Sequence, residues 1–429
     1  MLALREKIAL VVFYQKKNIY SFNALIGALE TVEELVDIKF YFIRGSENLE
    51  NEIDRICENH QKVVLGISFF TTQLWEINDL LKLLRDKYKE RVLFIAGGPH
   101  PTGDPEGTLK MGFDIVVVGE GEETLIEILY NIKNNKNLDA IRGIAYFSKE
   151  KILITTKKRR WIDLDKYPPL PVKNVKFGAI EITRGCPYAC YFCQTPYILG
   201  TLPRHRSIKS ICNAVSVMKI YDKLNIRFIT PNAFSYGSPD GKSLNIPLLE
   251  KLLIEITKII KPKGEIYLGS FPSEVRPEHV TKESLGLILK YAANDNIVIG
   301  AQSGSQKILN LCNRGHSTRD VYNAVKLTSE TGLTPIVDFI FNLPNETEED
   351  IDLTIDFMYK ISDIGAKIHS HTFMPLPLTV FAYEDVKEVD EKIVKTISKL
   401  SSRGLAYGEW KKQEKIAKNI SNYLKKIKL

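Results

Sequence analysis

Apolar residues in the first third of the chain fall into two alternating patterns. Residues 8–14 form a continuous apolar run, of the kind buried on both faces of a parallel sheet. Similar runs recur at 39–43, 63–68, 92–96 and 114–118. Between them lie helical stretches at 21–36, 49–58 and 74–88, and a further helix carries Leu125, Ile126, Ile128, Leu129 and Ile132 as an apolar stripe. Strands and helices alternating at this spacing predict a doubly wound, Rossmann-like α/β domain over residues 1–140. The pattern loosens over 141–176, which holds a hairpin-like stretch at 143–154 and Tyr167-Pro168-Pro169-Leu170-Pro171. Proline at that density excludes helix interior and central strand, so this segment reads as a linker.

Strand-like runs resume at 179–184, 226–230, 266–270, 297–301, 334–341 and 367–373, separated by helical runs at 207–222, 248–260, 282–291, 318–331 and 347–361. Six βα units predict a partial (β/α)6 barrel of the TIM type over 177–378, with functional residues at the carboxyl ends of its strands. Residues 379–429 predict two helices, 387–402 and 409–428, forming a small helical cap.

Composition narrows the class. Of 429 residues 44% are hydrophobic and 26% charged, which excludes wholesale disorder. No run approaches the ~18 apolar residues of a membrane span. The first apolar run lacks a small-residue cleavage site and reads as a strand, so a cytoplasmic protein is expected. The net charge of +7 is mild for this length. Its lysine runs, 157–160 and 411–428, read as solvated faces, and no nucleic-acid partner is expected. Six cysteines exclude a disulfide scaffold, yet three of them fall within eight residues.

Those three stand in Gly185-Cys186-Pro187-Tyr188-Ala189-Cys190-Tyr191-Phe192-Cys193, directly after the strand 179–184. Thiolates spaced Cys-x3-Cys-x2-Cys converge on one metal centre and leave one coordination position open. Zinc competes for such a set but would need a fourth ligand, for which His205 is the nearest candidate.

The spacing resembles the radical S-adenosylmethionine (SAM) signature. That resemblance implies a [4Fe–4S] cluster on Cys186, Cys190 and Cys193, with SAM chelating the fourth iron and Phe192 packing near its adenine. The strand ends carry further likenesses: Gln302-Ser303-Gly304-Ser305, Arg314-Gly315-His316, and Asn342-Leu343-Pro344-Asn345-Glu346-Thr347 in place of a Gly-Leu-Pro-Gly-Glu-Thr run. By the same resemblance Glu274, Arg276, Gln302 and Ser303 bind SAM. His369 and His371 lie two apart on one strand and face the same side, which makes them candidates for metal, proton or substrate contact. Cys312, past the fourth strand, is a further candidate for hydrogen-atom exchange, against the plainer reading of a buried small hydrophobe.

In the first domain, Gly97-Gly98-Pro99-His100-Pro101-Thr102, Gly112-Phe113-Asp114 and Val118-Gly119-Glu120-Gly121-Glu122 resemble the cobalamin-binding domain that precedes many radical SAM barrels. The resemblance implies a cobalamin site at Ser68, Gly97, Gly98, Gly119 and Gly121. Family members that ligate cobalt through histidine carry it after the first strand. Here that loop is Gln15-Lys16-Lys17-Asn18 and the first histidine is His60, so no axial histidine is expected from it. The implied function is cobalamin-dependent methylation of an unactivated carbon in a small molecule or protein side chain, with an electron donor such as ferredoxin or flavodoxin. Radical cyclisation, rearrangement or oxidation without methyl transfer is the alternative, followed by a non-catalytic corrinoid or Fe–S protein. The C-terminal helices do not resemble the RNA-binding β-barrel that ends tRNA methylthiotransferases.

Overall fold

A computed structural model describes residues 6–157 and 159–428, so Lys158 of the basic run lies outside the described residues, as does the side chain of Lys428. The chain forms two compact units, one ending at Gly178 and the other beginning at Ala179.

The first unit is built on one seven-stranded sheet: β1 (Glu6–Phe13), β2 (Lys39–Ile43), β3 (His60–Ser68), β4 (Val92–Gly97), β5 (Ile115–Val117), β6 (Ile144–Phe147) and β7 (Leu153–Thr155). The strand order is β2-β1-β3-β4-β5-β6-β7, parallel through β5 and antiparallel for the last two. Continuous burial of residues 8–14 explains their unbroken apolar run. Leu10, Val12 and Val64 of the sheet pack with Phe22 and Ile26 of the helix Ile19–Leu29 and with Ile128 and Leu129 of the helix Glu122–Lys133. The strand order reverses between β1 and β3, and in such sheets that switch point opens the ligand crevice.

Residues 141–176, read from the sequence as a linker, belong instead to this first unit. Their hairpin supplies β6 and β7, and Ile162, Leu164 and Tyr167 bury against Ala28. The proline-rich stretch then folds over the same helix, where the Glu30 carboxylate accepts the backbone N–H groups of Val172, Lys173 and Asn174 at 2.7–2.9 Å. Proline removes backbone donors, and a carboxylate from a neighbouring helix anchors the donors that remain.

The second unit contains β8 (Ile180–Glu181), β9 (Thr183–Arg184), β10 (Arg204–His205), β11 (Asn225–Ile229), β12 (Glu265–Tyr267), β13 (Asn296–Gln302), β14 (Thr334–Phe341), β15 (Lys367–Thr372) and β16 (Ala406–Tyr407). Parallel β8, β11 and β12 form one ladder and parallel β13 to β16 another. A bridge between Val275 and Ile299 and the Val298 N–H to Gly269 carbonyl bond (2.8 Å) join the two. The helices between strands start at side-chain caps encoded locally: Ser207, Thr281, Ser317 and Thr347 each accept a backbone N–H of the first turn. Residues 379–429 are more than a helical cap. Besides the helices Glu391–Ser402 and Trp410–Lys428, they add β16 as a seventh parallel strand beside β15.

Candidate active site

Gly185 opens the cysteine loop with φ +92°, and a Cβ there would stand 2.4 Å from the Leu202 carbonyl oxygen, so only glycine fits. The loop is pinned by backbone bonds from Cys186 N–H to the Gly200 carbonyl (3.0 Å), Cys193 N–H to Cys190 (3.0 Å) and Tyr191 N–H to Cys312 (3.1 Å). Asn313 donates to the Tyr188 carbonyl at 2.8 Å. All three cysteines are free thiols, and Cys190 is buried. Burial pushes the Cys186 thiol up to about 11 and raises that of Cys193.

Arg314 meets this loop from the far side. Its guanidinium donates Nη1 to Cys190 Sγ (3.3 Å) and Nη2 to the Gly300 carbonyl (2.7 Å), while its buried Nε has no partner. Among the described residues no carboxylate lies within ion-pair distance of it, Glu274 and Glu278 acting on it only from farther off, and a buried cation without a close counter-charge is costly. Thiolates holding an anionic cluster supply the missing negative charge. The donor set therefore fits an Fe–S cluster, and it offers no fourth protein ligand for zinc: His205 is engaged by Thr183 (2.9 Å) and the Ser238 carbonyl (2.7 Å).

Arg276 is not among the residues that line the cavity described below, and its charge acts on Cys186. It is 5% exposed, pairs with Glu278 (2.5 Å), donates to the Arg314 carbonyl, and stacks 3.3 Å from the Tyr188 ring centroid. Its role is to hold the Tyr188 turn between the first two cysteines. Ser303, fully buried, accepts from Ser305 N–H (3.1 Å) and contacts Thr354 (3.3 Å), and it is likewise not among the residues that line the cavity. Cys312 packs among Ile308, Leu343, Phe373 and Phe381, with its thiol pushed up to about 12 by burial. It behaves as a small hydrophobe.

A cavity of about 310 Å³ opens at the carboxyl ends of the strands. Phe192, Glu274, Gln302, Asp338, His371 and Gln413 line it, with Phe373, Met374 and Leu376 as an apolar wall. It thus gathers three of the five residues expected around SAM. The Glu274 carboxyl is pushed up to about 7 by its enclosure and by the charge of nearby Asp338. For Asp338, burial raises and bonds from His369 and His371 lower, and the bonds win, so the negative charge stays there. Gln413 reaches the cavity from the C-terminal helix: its Oε1 accepts Thr372 N–H (2.8 Å) and its Nε2 donates to His371 Nδ1 (3.2 Å). Sequence reasoning missed Gln413, Asp338 and the function of Arg314. Only the Arg-Gly-His run gave any signal for the last.

In the first unit, Ser68 and Gly97 are register partners at the ends of β3 and β4. A Cβ added at Gly97 would meet nothing closer than Val117 Cβ at 3.9 Å, so open space stands in front of it. Gly98 has φ +98°, and a Cβ there would stand 2.7 Å from Ser68 Oγ and 3.0 Å from Phe69 N. Asn18, in the loop after β1, donates to the Phe13 (3.0 Å) and Ser68 (2.9 Å) carbonyls and ties the two sides of the switch point together. An open cradle at a switch point fits a planar ligand with an extended tail. Gly119 N–H is taken by Thr102 Oγ1 (3.0 Å), and a Cβ at Gly121 would stand 3.0 Å from Leu25 Cδ2. The loop after β1 presents no histidine. His60 begins β3 at the opposite end of the sheet, and His100 is fully buried, held neutral by burial with its pKa down to about 4.

Residues 180–358 match the radical SAM superfamily, and residues 22–129 match the B12 binding domain. An uncharacterized methyltransferase of Pyrococcus horikoshii is 25% identical over 344 residues, covering 77% of this chain and 71% of that protein. A tRNA-2-methylthio-N(6)-dimethylallyladenosine synthase of Pelagibacter ubique is 26% identical over 367 residues, covering 82% and 74%. The structure of the radical S-adenosylmethionine methyltransferase TsrM from Kitasatospora setae, with cobalamin and a [4Fe–4S] cluster bound, superposes with a TM-score of 0.69. It covers 89% of this chain and 77% of TsrM at 15% identity, a likeness of fold.

Proposed function

Because this chain belongs to the radical SAM proteins that carry a B12-binding domain, with a [4Fe–4S] cluster, SAM and cobalamin as cofactors, we propose that it methylates an unactivated carbon of a small molecule or protein side chain. The observation that carries the reading is the buried Arg314 cation, with no carboxylate at ion-pair distance, that donates to Cys190 beside a cavity that gathers Phe192, Glu274 and Gln302. Cys186, Cys190 and Cys193 hold the cluster, and Phe192, Glu274 and Gln302 position SAM. Ser68 and Gly97 cradle cobalamin. Together these groups supply an adenosyl radical and a transferable methyl group. Arg314 balances the charge of the cysteine thiolates, Arg276 and Tyr188 fix the loop that carries them, and the Phe373–Leu376 wall excludes water.

A low-potential electron donor and a substrate complete the system. The test is anaerobic turnover of reconstituted protein with methyl-labelled SAM, a reductant, and small-molecule and protein fractions of a cell extract. Formation of 5′-deoxyadenosine with label in a carbon-methylated product supports the proposal. SAM cleavage with no label transferred in any fraction would replace methylation with a radical rearrangement or oxidation. No SAM cleavage at all would overturn the enzymatic reading.

A further inference from the structure

Three ligand-type atoms outside the cysteine loop converge at the cavity, Asp338 and His371 in its wall and His369 beside them. Asp338 on β14 is the register partner of His369 on β15, and His371 follows two residues on, facing the same side. Asp338 Oδ1 lies 2.8 Å from His369 Nδ1, His369 Nδ1 lies 3.1 Å from His371 Nε2, and His371 Nε2 lies 3.8 Å from Asp338 Oδ1.

Hydrogen bonding alone does not satisfy this triangle. Thr372 N–H donates to Gln413 Oε1, which fixes the amide so that its Nε2 donates to His371 Nδ1. The proton of neutral His371 is then on Nε2, pointing at His369 Nδ1. If that nitrogen also carries a proton for Asp338, two N–H groups oppose each other at 3.1 Å. If it does not, its lone pair faces a carboxylate oxygen at 2.8 Å. One contact is repulsive either way. A single cation makes all three favourable. The centre of the triangle lies about 1.9 Å from each corner, so an ion at the usual ~2.0–2.2 Å from its ligands sits just off that plane.

We propose that Asp338, His369 and His371 bind one divalent transition-metal ion, with its remaining positions open to the cavity. Two imidazoles and one carboxylate favour Zn2+ or Fe2+ over Mg2+ or Ca2+. The set is held from behind: Tyr407 of β16 stacks on His369 (centroids 4.6 Å apart), and Gln413 holds His371. Binding at Nε2 places the His371 proton on Nδ1, so the Gln413 amide must turn to accept it and then presents its NH2 to Thr372 N–H, which moves the mismatch out of the triangle to the Gln413–Thr372 contact. A carboxylate at position 413 would accept that proton and Thr372 N–H together.

The test is equilibrium dialysis of cluster-reconstituted, full-length protein against micromolar Zn2+, with metals counted by mass spectrometry. Wild type is expected to retain one zinc beside the cluster iron. His369→Gln/His371→Gln is expected to lose zinc affinity at least 100-fold while its iron content stays unchanged, which shows that the barrel is intact. Gln413→Glu is expected to tighten binding tenfold or more. No zinc retained by wild type, or equal zinc in wild type and the double variant, would overturn the proposal. So would Gln413→Glu leaving the affinity where it was. None of these outcomes depends on turnover, so the methyltransferase reading stands or falls separately.

Discussion

The paired glycines at the end of β4 make separable predictions. At Gly98 a side chain needs φ +98° and puts its Cβ 2.7 Å from Ser68 Oγ, 3.0 Å from Phe69 N and 3.1 Å from Phe69 O. The left-handed backbone costs a non-glycine residue about 1–2 kcal/mol and the overpacking about 1–3 kcal/mol more. Gly98→Ala should therefore destabilise the first unit by about 2–5 kcal/mol, a melting-point drop of about 4–20 °C for a unit of this size. Gly97 is the reverse case, with an ordinary backbone and only Val117 Cβ within reach at 3.9 Å. Gly97→Val should leave the melt unchanged or raise it slightly, since valine suits a strand end and loses less entropy than glycine. Its methyls would instead fill the proposed cobalamin cradle. The assay is differential scanning calorimetry together with the visible absorbance of cobalamin retained after gel filtration. Full cobalamin retention by Gly97→Val would refute the cradle, and a wild-type melt for Gly98→Ala would refute the strain argument.

Cys186→Ala, Cys190→Ala and Cys193→Ala should each lower reconstituted iron from about four per chain to below one, read by iron assay and EPR, because two thiolates hold a cluster poorly. Arg314→Gln removes the buried cation at Cys190 Sγ and should shift the cluster midpoint to more negative potential, by about 59 mV for each tenfold change in the reduced-to-oxidised ratio. An EPR-monitored redox titration reads the shift, and an unchanged midpoint would remove Arg314 from cluster tuning. Burial raises the Glu346 carboxyl to about 7, so the folded chain holds a proton there that the unfolded chain releases near the ordinary carboxylate range. Its contribution to stability is full below that range and is lost as the pH rises to about 7. Glu346→Gln should flatten that part of the stability profile in urea unfolding, from the ordinary carboxylate range up to about pH 7.

Much of the architecture was legible in the sequence because it is set locally. Residues 39–43, 74–88 and 334–341 are elements whose bounds follow from periodicity, and the Cys-x3-Cys-x2-Cys loop lies within eight residues of chain. The proline-rich segment 141–176 was misread because low regularity looks the same in a linker and in a strap packed on its own domain. What distinguishes them lies more than a hundred residues earlier for the proline-rich part, in Ala28 and Glu30, and in the β5 edge for the hairpin. The packed barrel pairs Arg276 with Glu278 and stacks it on Tyr188, contacts that no spacing along the chain announces. The meeting of Arg314 with Cys190 spans 124 residues, and that of Gln413 with His371 spans 42. The His369–Asp338 contact exists because β14 and β15 pair in one register, and a shift by one residue would turn both histidines to the other face. Sequence spacing encodes which residues share a face of one element. Which faces meet is decided by strand order, register and loop closure, and these belong to the whole fold.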